Sequence, residues 1–256
     1  EGLPALIGAR VTPETGPIHA ARRALWDREP RYVLSDELWR DRMTAAGHVT
    51  QCLASRNPDQ RVLIAAPGAT VDEWAEQMEM RFGGRSFETI TEQRLAGMAF
   101  HETGQLMSES RVVVSTSALR RSDDAQTMLV GQEWDVLIVD EAHRLPVDGA
   151  GYRAACDASR MADTSLVLAP TPVTEDARKI AALLRLARPD YWQNDAVSRV
   201  QSRFDERREI WRAMGETDAA LLEENLADEA EELASLWEES GAEDDATASL
   251  VDDLRE

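Results

Sequence analysis

Two adjacent carboxylates, Asp140 and Glu141, directly follow the apolar run Val136–Val139. A fully apolar run of this length is typical of a strand buried on both faces of a parallel sheet, and ligands of open α/β sheets bind just past the carboxyl ends of such strands. An aspartate at that place can hold Mg²⁺ on a nucleoside triphosphate, and a glutamate can orient the attacking water. The alternative is that the two acids cap a helix, whose N-terminus favours negative charge.

Strands alternating with helices must position these carboxylates. Five apolar runs separated by helix-length segments predict right-handed βαβ units and a parallel sheet covered on both faces, which is an α/β fold. The strands are expected at Tyr32–Leu34, Val62–Ala66, Val112–Ser115, Val136–Val139 and Leu166–Ala169. The helices are expected at Thr44–Ala54, Val71–Phe82, near Leu119–Leu129, at Tyr152–Met161 and at Glu175–Leu186.

The character of the sequence changes after Pro189, where the sheet is expected to end. Two later segments lack strand signals, are highly charged and have helical periodicity: Ala196–Met214 and Ala219–Glu239. Four leucines of the second segment recur at helical spacing, which predicts an apolar stripe packed against a neighbouring helix or domain. We therefore predict one α/β domain over residues 1–189 and an acidic helical appendage over residues 190–256.

Charge and cysteine content narrow the possible functions. The net charge is −20, so a wholesale basic footprint for nucleic acid is missing, and we expect only weak binding of DNA. Cys52 and Cys156 have no metal-ligand spacing, which predicts buried free thiols in a reduced cytoplasm. The apolar runs are too short to span a membrane. Lys179 is the only lysine beside 27 arginines, and Asp and Glu are in excess, a composition that suggests a GC-rich genome and a salt-loving host.

The tetrad Asp140–His143 resembles motif II, the DEAH box, of Swi/Snf-type ATPases, the helicase-like translocases of superfamily two. Further segments resemble other motifs of that family in the right order. Arg61–Phe82 is similar to motif Ia, Val112–Arg121 to motif Ib, Ser165–Pro172 to motif III, and Leu3–Thr12 with Pro30–Glu37 to the opening of the first RecA-like lobe. The opening decapeptide and the spacing look most like the RapA-like members, ATPases associated with bacterial RNA polymerase.

The resemblance implies a RecA-like lobe and a role for each matching residue. Asp140 would bind Mg²⁺, Glu141 would act as the base for water, and His143 would link the nucleotide site to motif III. Residues at motif Ib would contact nucleic acid, namely Ser115, Thr116, Arg120 and Arg121. The family uses ATP and Mg²⁺, and its partners would be RNA polymerase, another subunit or DNA.

The phosphate-binding loop departs from the family pattern, Asp-Glu-x-Gly-x-Gly-Lys-Thr. The ungapped match begins at Asp36 and Glu37, and its four key positions are replaced as follows: Gly by Trp39, Gly by Asp41, Lys by Arg42 and Thr by Met43. A shift of one residue lets Thr44 supply the Mg²⁺ hydroxyl, but no alignment supplies a lysine, since Lys179 follows the fifth strand. The residues that could still take part in cofactor binding are Asp36, Glu37, Arg42 and Thr44. Because the glycines and the lysine are absent, we expect no bound cofactor.

Other departures agree with a silent nucleotide site. The family's adenine-reading glutamine corresponds to Pro17, and Pro170 replaces a small residue in motif III. A second lobe with motifs IV to VI is not found in these 256 residues. Because the chain opens on Glu1 and stops at Glu256 within a charged stretch, we expect an excerpt of a longer protein. In a silent site, Glu141→Gln is expected to change nothing in the isolated chain.

Three hypotheses follow from the sequence. The first, which we prefer, is a lobe that has lost ATP binding and serves as a docking element. The second is an excerpt of an active ATPase that depends on double-stranded DNA. The third is an interaction module whose acidic helices carry the function.

Overall fold

A computed structural model describes residues 9–11, 15–36, 38–83, 86–97, 109–170, 176–206, 208–209 and 212. The chain divides into two compact units, Glu1–Val200 and Gln201–Glu256. In the second unit, residues 201–206 are helical. The predicted helix at 219–239 with its leucine stripe lies outside the described residues, as do residues 3–8 of the opening segment. The division of the chain at Pro189 stays a prediction.

The first unit contains one sheet of six parallel strands. The strands lie side by side in the order β1-β6-β5-β2-β4-β3. The strands are β1 (Arg31–Ser35), β2 (Val62–Ala66), β3 (Glu88–Ile90), β4 (Arg111–Ser115), β5 (Val136–Val139) and β6 (Thr164–Ala169). The helices are α1 (Thr15–Trp26), α2 (Trp39–Ala54), α3 (Val71–Phe82), α4 (Glu92–Ala96), α5 (Thr116–Arg121), α6 (Asp123–Val130), α7 (Ala150–Met161) and α8 (Ala177–Ala187). The predicted α/β fold with a parallel sheet is confirmed.

Strand β5 lies inside the sheet because β2 and β6 pair with it on its two sides. All four of its residues are fully buried. One apolar cluster joins the sheet to α1, α2 and α3, and another joins it to α5, α6, α7 and α8. Burial of both faces explains why this strand reads as an uninterrupted apolar run.

Three elements were not predicted, and one predicted helix is two. Strand β3 was missed because it is only three residues long and ends on one buried apolar residue, Ile90. Helices α1 and α4 were missed as well. The single helix expected at Leu119–Leu129 is two helices, α5 and α6, because the Ser122 side chain accepts a hydrogen bond from the backbone N–H of Ala125 and starts a new helix there.

Helix α2 begins at Trp39, five residues before the predicted start at Thr44. The carbonyl oxygen of Leu38 accepts hydrogen bonds from the backbone N–H groups of Asp41 (3.1 Å) and Arg42 (3.3 Å), which close the first helical turn. Glycine inside a helix costs about 1 kcal/mol relative to alanine. Since both loop glycines of the family pattern are replaced here, the stretch expected to be a loop continues the helix instead.

His48 of α2 makes the stability of the fold depend on pH. Its ring is buried, meets Phe82 edge-on at a centroid distance of 5.4 Å, and has no hydrogen-bond partner for either nitrogen within the described part of the chain. Burial, and secondarily the charge of Arg81, lowers the pKa of His48 below its ordinary value of 6.5.

We expect the free energy of unfolding to fall as the pH drops below 6.5, because His48 then takes up a proton in the unfolded chain but stays neutral in the folded one. The free energy stops falling once the pH is below the pKa of His48 in the folded state, where both forms are protonated. The measurement is urea unfolding of the wild type and of His48→Leu across this pH range. His48→Leu removes two unpaired nitrogens, so it should be at least as stable near neutral pH and should lose less stability in acid. Parallel pH profiles of the two proteins would contradict this.

Within the described ranges, no helix is long and apolar enough to cross a membrane.

Candidate nucleotide site

Asp140 lies at the carboxyl end of β5 and is fully buried. Its backbone N–H donates to the carbonyl of Ala65 (2.8 Å). Its Oδ2 accepts hydrogen bonds from two indole N–H groups, of Trp39 (2.9 Å) and Trp74 (2.8 Å). Its Oδ1 accepts the backbone N–H of Glu141 (2.8 Å). Burial raises the pKa of Asp140, and these hydrogen bonds act in the opposite direction.

Glu141 is held by cationic side chains. Its Oε1 lies 2.5 Å from Arg42 Nη2, and its Oε2 lies 3.0 Å from Arg144 Nε and 3.7 Å from His143 Nε2. Burial lowers the pKa of His143, so that this ring is neutral near neutral pH and contributes little charge. Glu141 adopts a left-handed backbone with φ of 48°, the one non-glycine residue with positive φ among those described. Such a conformation is strained for a residue with a side chain.

Arg42 connects the start of α2 to the end of β5. Its side chain is only 2% exposed. Beyond the ion pair with Glu141, its Nη1 donates to the backbone carbonyl of Asp36. The cation that replaces the family's lysine thus binds a carboxylate of the same protein.

The backbone N–H groups that would cradle phosphate in the family have protein acceptors here. The N–H of Leu38 donates to Asp36 Oδ1 (2.9 Å), and those of Asp41 and Arg42 donate within the helix. The hydroxyl of Thr44, which is buried, donates to the carbonyl of Arg40 (2.7 Å). Glu37 lies outside the described residues.

Trp39 covers Asp140 from the side of α2. Its ring meets that of Trp74 edge-on, with ring centroids 6.1 Å apart. Trp74 is fully buried and belongs to the core. A buried indole N–H usually finds an acceptor, but no sequence pattern indicated that both indoles donate to one carboxylate oxygen.

The first residues of motif III approach the same loop from β6. Strand β6 pairs with β1, and the backbone N–H of Asp36 donates to the carbonyl of Ala169 (3.4 Å). The hydroxyl of Ser35 donates to the carbonyl of Pro170 (3.3 Å). Residues 171–175 lie outside the described part of the chain.

Lys179 lies on α8, is 74% exposed and pairs with Asp176.

The candidate nucleic-acid residues cluster at the carboxyl end of β4, on the same edge of the sheet. Ser115 is fully buried, and its hydroxyl accepts the N–H of Ala118 (3.1 Å) at the start of α5. Thr116 is half-buried and Arg120 is exposed. Arg121 pairs with Glu92 at 3.0 Å. Both arginines are exposed, and the charge of Arg121 is partly balanced by Glu92.

The site thus unites residues predicted separately from β1, α2 and β5. Asp36, Arg42, Asp140 and Glu141 lie in one hydrogen-bonded group with Trp39 and Trp74. Among the described residues, no three His, Cys, Asp or Glu side chains form a group that could hold a metal ion.

A family model described as the SNF2-related domain matches residues 23–238. The RNA polymerase-associated protein RapA of Sodalis glossinidius is 26% identical over 270 residues, covering 96% of this chain and 27% of the relative. RapA of Pectobacterium carotovorum is 29% identical over 191 residues, covering 72% of this chain and 19% of the relative. The chain therefore spans 27% or less of the length of these two relatives.

Solved structures show the same fold. The Sulfolobus solfataricus SWI2/SNF2 ATPase core in complex with dsDNA has a TM-score of 0.57 at 14% identity, covering 72% of this chain and 37% of that one. The Pyrococcus furiosus Hef helicase domain has a TM-score of 0.50 at 17% identity, covering 66% of this chain and 36% of that one. These likenesses confirm the predicted RecA-like lobe.

Proposed function

Since the chain belongs to the SNF2-related domain family, we propose that it is a RapA-like helicase lobe that has lost ATP binding. In this proposal the lobe is a non-hydrolysing docking or regulatory element of an RNA polymerase-associated or DNA-bound complex. The names of the RapA relatives, which describe association with RNA polymerase, support that choice of partner. Residues 1–189 would form the lobe, and residues 190–256 would be a charged helical linker toward a second lobe.

The observation that carries the proposal is the ion pair of Arg42 with Glu141. In an active site of this type, the loop cation neutralises phosphate oxygens and the glutamate orients water. Here the two groups neutralise each other at 2.5 Å in a nearly buried position. A triphosphate could recruit Arg42 only by separating this pair, which would leave Glu141 facing the incoming negative charge.

The residues around Asp140 do not fit Mg²⁺ either. Each carboxylate oxygen has about two lone-pair directions. The indole N–H groups of Trp39 and Trp74 use both directions of Oδ2, and the N–H of Glu141 uses one of Oδ1. A metal ion could reach this fully buried carboxylate only if Trp39 moved away.

The alternative is an excerpt of an active double-stranded-DNA-dependent ATPase. Retention of the DEAH tetrad with His143 and of a cation at Arg42 favours it. It requires Trp39 and Arg42 to leave their present partners when ATP binds. A pure interaction module, with the acidic residues 190–256 as the active part, is the third possibility.

Thermal unfolding with Mg-ATP separates the first two functions. A ligand at about 100 times its Kd stabilises the native state by about 2.7 kcal/mol. We expect millimolar Mg-ATP to leave the Tm unchanged relative to MgCl₂ at matched ionic strength. A saturable rise of Tm that MgCl₂ does not reproduce would favour the active enzyme.

Binding of duplex DNA is expected to be weak at physiological salt. The chain carries a net charge of −20, and Arg121 at motif Ib is already paired with Glu92. The measurement is fluorescence anisotropy of a labelled duplex titrated with the chain. Arg120→Glu should make little difference, because there is little affinity to lose. Nanomolar binding that this variant weakens would contradict the prediction.

A further inference from the structure

We infer that helix α1 carries a docking surface for a short acidic peptide segment with an apolar side chain. The Trp26 surface consists of His19, Arg22, Arg23, Trp26, Asp27 and Tyr32. These residues border an open cavity of about 380 Å³, which is in the size range of small-ligand pockets. The inference goes beyond the proposed function and does not depend on whether ATP binds.

Helical spacing places four of these side chains together. His19, Arg22, Arg23 and Trp26 are separated by three or four residues along α1 and therefore share one face. The Trp26 side chain is the most exposed of the large apolar side chains in the described ranges, at 80%. The guanidinium of Arg22 lies 5.5 Å from the centroid of its ring.

A hydrogen bond between Tyr32 and Asp27 holds two of the side chains that line the cavity. The hydroxyl of Tyr32, on β1, donates to Asp27 Oδ2 at 2.6 Å. Burial, followed by this hydrogen bond, raises the pKa of Tyr32, so the phenol keeps its proton. Tyr32 thus contributes a second large aromatic ring to the lining of the cavity that Trp26 also borders.

The Trp26 surface is separate from the candidate nucleotide site. Helix α1 ends at Trp26, and β1 begins at Arg31, so the surface adjoins the amino end of that strand. Asp140 follows the carboxyl end of β5, which runs parallel to β1 within the sheet. Amino and carboxyl ends of parallel strands lie on opposite edges of the sheet.

The positive charge of helix α1 favours an acidic peptide as the ligand of the Trp26 surface. Helix α1 contains two arginines and no acidic residue, whereas the whole chain has a net charge of −20. The guanidinium group of an arginine binds a carboxylate through two parallel hydrogen bonds. Asp27 lies at the rim, where its carboxylate already accepts from Tyr32. A peptide carboxylate would therefore approach Arg22 and Arg23.

A peptide fits this surface better than a nucleic-acid strand. A strand presents a phosphate at every nucleotide and needs cations along a track, but the lining offers two guanidinium groups beside one carboxylate. Tryptophan, tyrosine and arginine are the residues that dominate binding energy at protein interfaces. One apolar peptide side chain would cover Trp26, and flanking carboxylates would meet the arginines.

The test uses the 256-residue chain and a fluorescent peptide of sequence Asp-Glu-Leu-Phe-Glu-Asp, with anisotropy as the readout. Saturable binding that weakens with added salt is expected. Trp26→Ser and Arg22→Glu should each raise the Kd about tenfold or more. Both side chains are solvent-exposed, and circular dichroism checks that the variants fold.

Matched controls lie elsewhere on the surface. Met161→Ser removes another apolar side chain, which is 57% exposed, and Arg178→Glu reverses another exposed charge. Neither should change the Kd, and a peptide with serine in place of Leu and Phe should not bind. The inference is overturned if the peptide does not bind, if the controls weaken binding equally, or if a single-stranded oligonucleotide binds instead and Trp26→Ser abolishes that binding.

Discussion

Glu141→Ala is expected to lower the free energy of unfolding by about 3 kcal/mol, because it leaves the buried guanidinium of Arg42 without its carboxylate. The Arg42 side chain is 2% exposed and lies 2.5 Å from Glu141. The Glu141 side chain is itself 15% exposed, and Arg42 keeps its bond to the Asp36 carbonyl, so we place the loss at the low end for a broken buried pair. Urea unfolding followed by circular dichroism measures the loss.

A double-mutant cycle isolates the ion pair from other effects. Arg42→Met alone should cost less than Glu141→Ala, since Arg144 still faces the remaining carboxylate at 3.0 Å. The double variant Arg42→Met with Glu141→Ala should cost less than the two single variants added together, because it leaves no buried charge without a partner. If Glu141→Ala unfolds at the same urea concentration as the wild type, the pair does not stabilise the fold.

The ion pair between Arg42 and Glu141 changes what we expect of Glu141→Gln in the isolated chain. A neutral amide cannot balance the charge of Arg42, so Glu141→Gln should also destabilise the fold, although by less than Glu141→Ala. We therefore expect Glu141 to stabilise the fold whether or not it could act on water.

Restoring the phosphate loop is expected to create ATP binding that the wild type lacks. The restored chain carries glycine, glycine, lysine and threonine through four substitutions: Trp39→Gly, Asp41→Gly, Arg42→Lys and Met43→Thr. The glycines would open the first turn of α2 to phosphate, and the loss of Trp39 would uncover Asp140. Each charge-assisted hydrogen bond gained contributes about 1.5–3 kcal/mol, so affinity should rise by orders of magnitude.

Trp39→Gly alone is the matched control for the restored loop. It uncovers Asp140 but leaves Arg42 paired with Glu141, so it should not bind Mg-ATP. If the restored chain also fails to bind, Pro17 becomes the limiting feature, and the loop alone does not explain the loss.

Most of the fold could be predicted because its strands are buried on both faces. Uninterrupted apolar runs marked β2, β4, β5 and β6, and β5 placed Asp140 and Glu141 correctly at a carboxyl end. Strand β3 gave no such signal because only Ile90 of its three residues is buried. Helix α2 starts early because this segment has no glycine. The comparison with the family pattern led us to expect a loop there instead.

The contacts that close the site could not be predicted from the sequence. The bonds from Trp39 and Trp74 to Asp140 join residues 101 and 66 positions apart, and the bond from Arg42 to Glu141 joins residues 99 apart. No periodicity or local motif encodes such pairings, which arise only when the sheet assembles. The left-handed backbone of Glu141 is likewise a consequence of tertiary packing.

Calorimetric titration of the wild-type chain with Mg-ATP tests the loss of nucleotide binding most directly. With Arg42 paired to Glu141 and Trp39 bonded to Asp140, we expect no saturable heat of binding at millimolar nucleotide, while the restored loop shows one. Saturable one-to-one binding by the wild type, abolished by Asp140→Ala in a chain that still folds, would contradict the account.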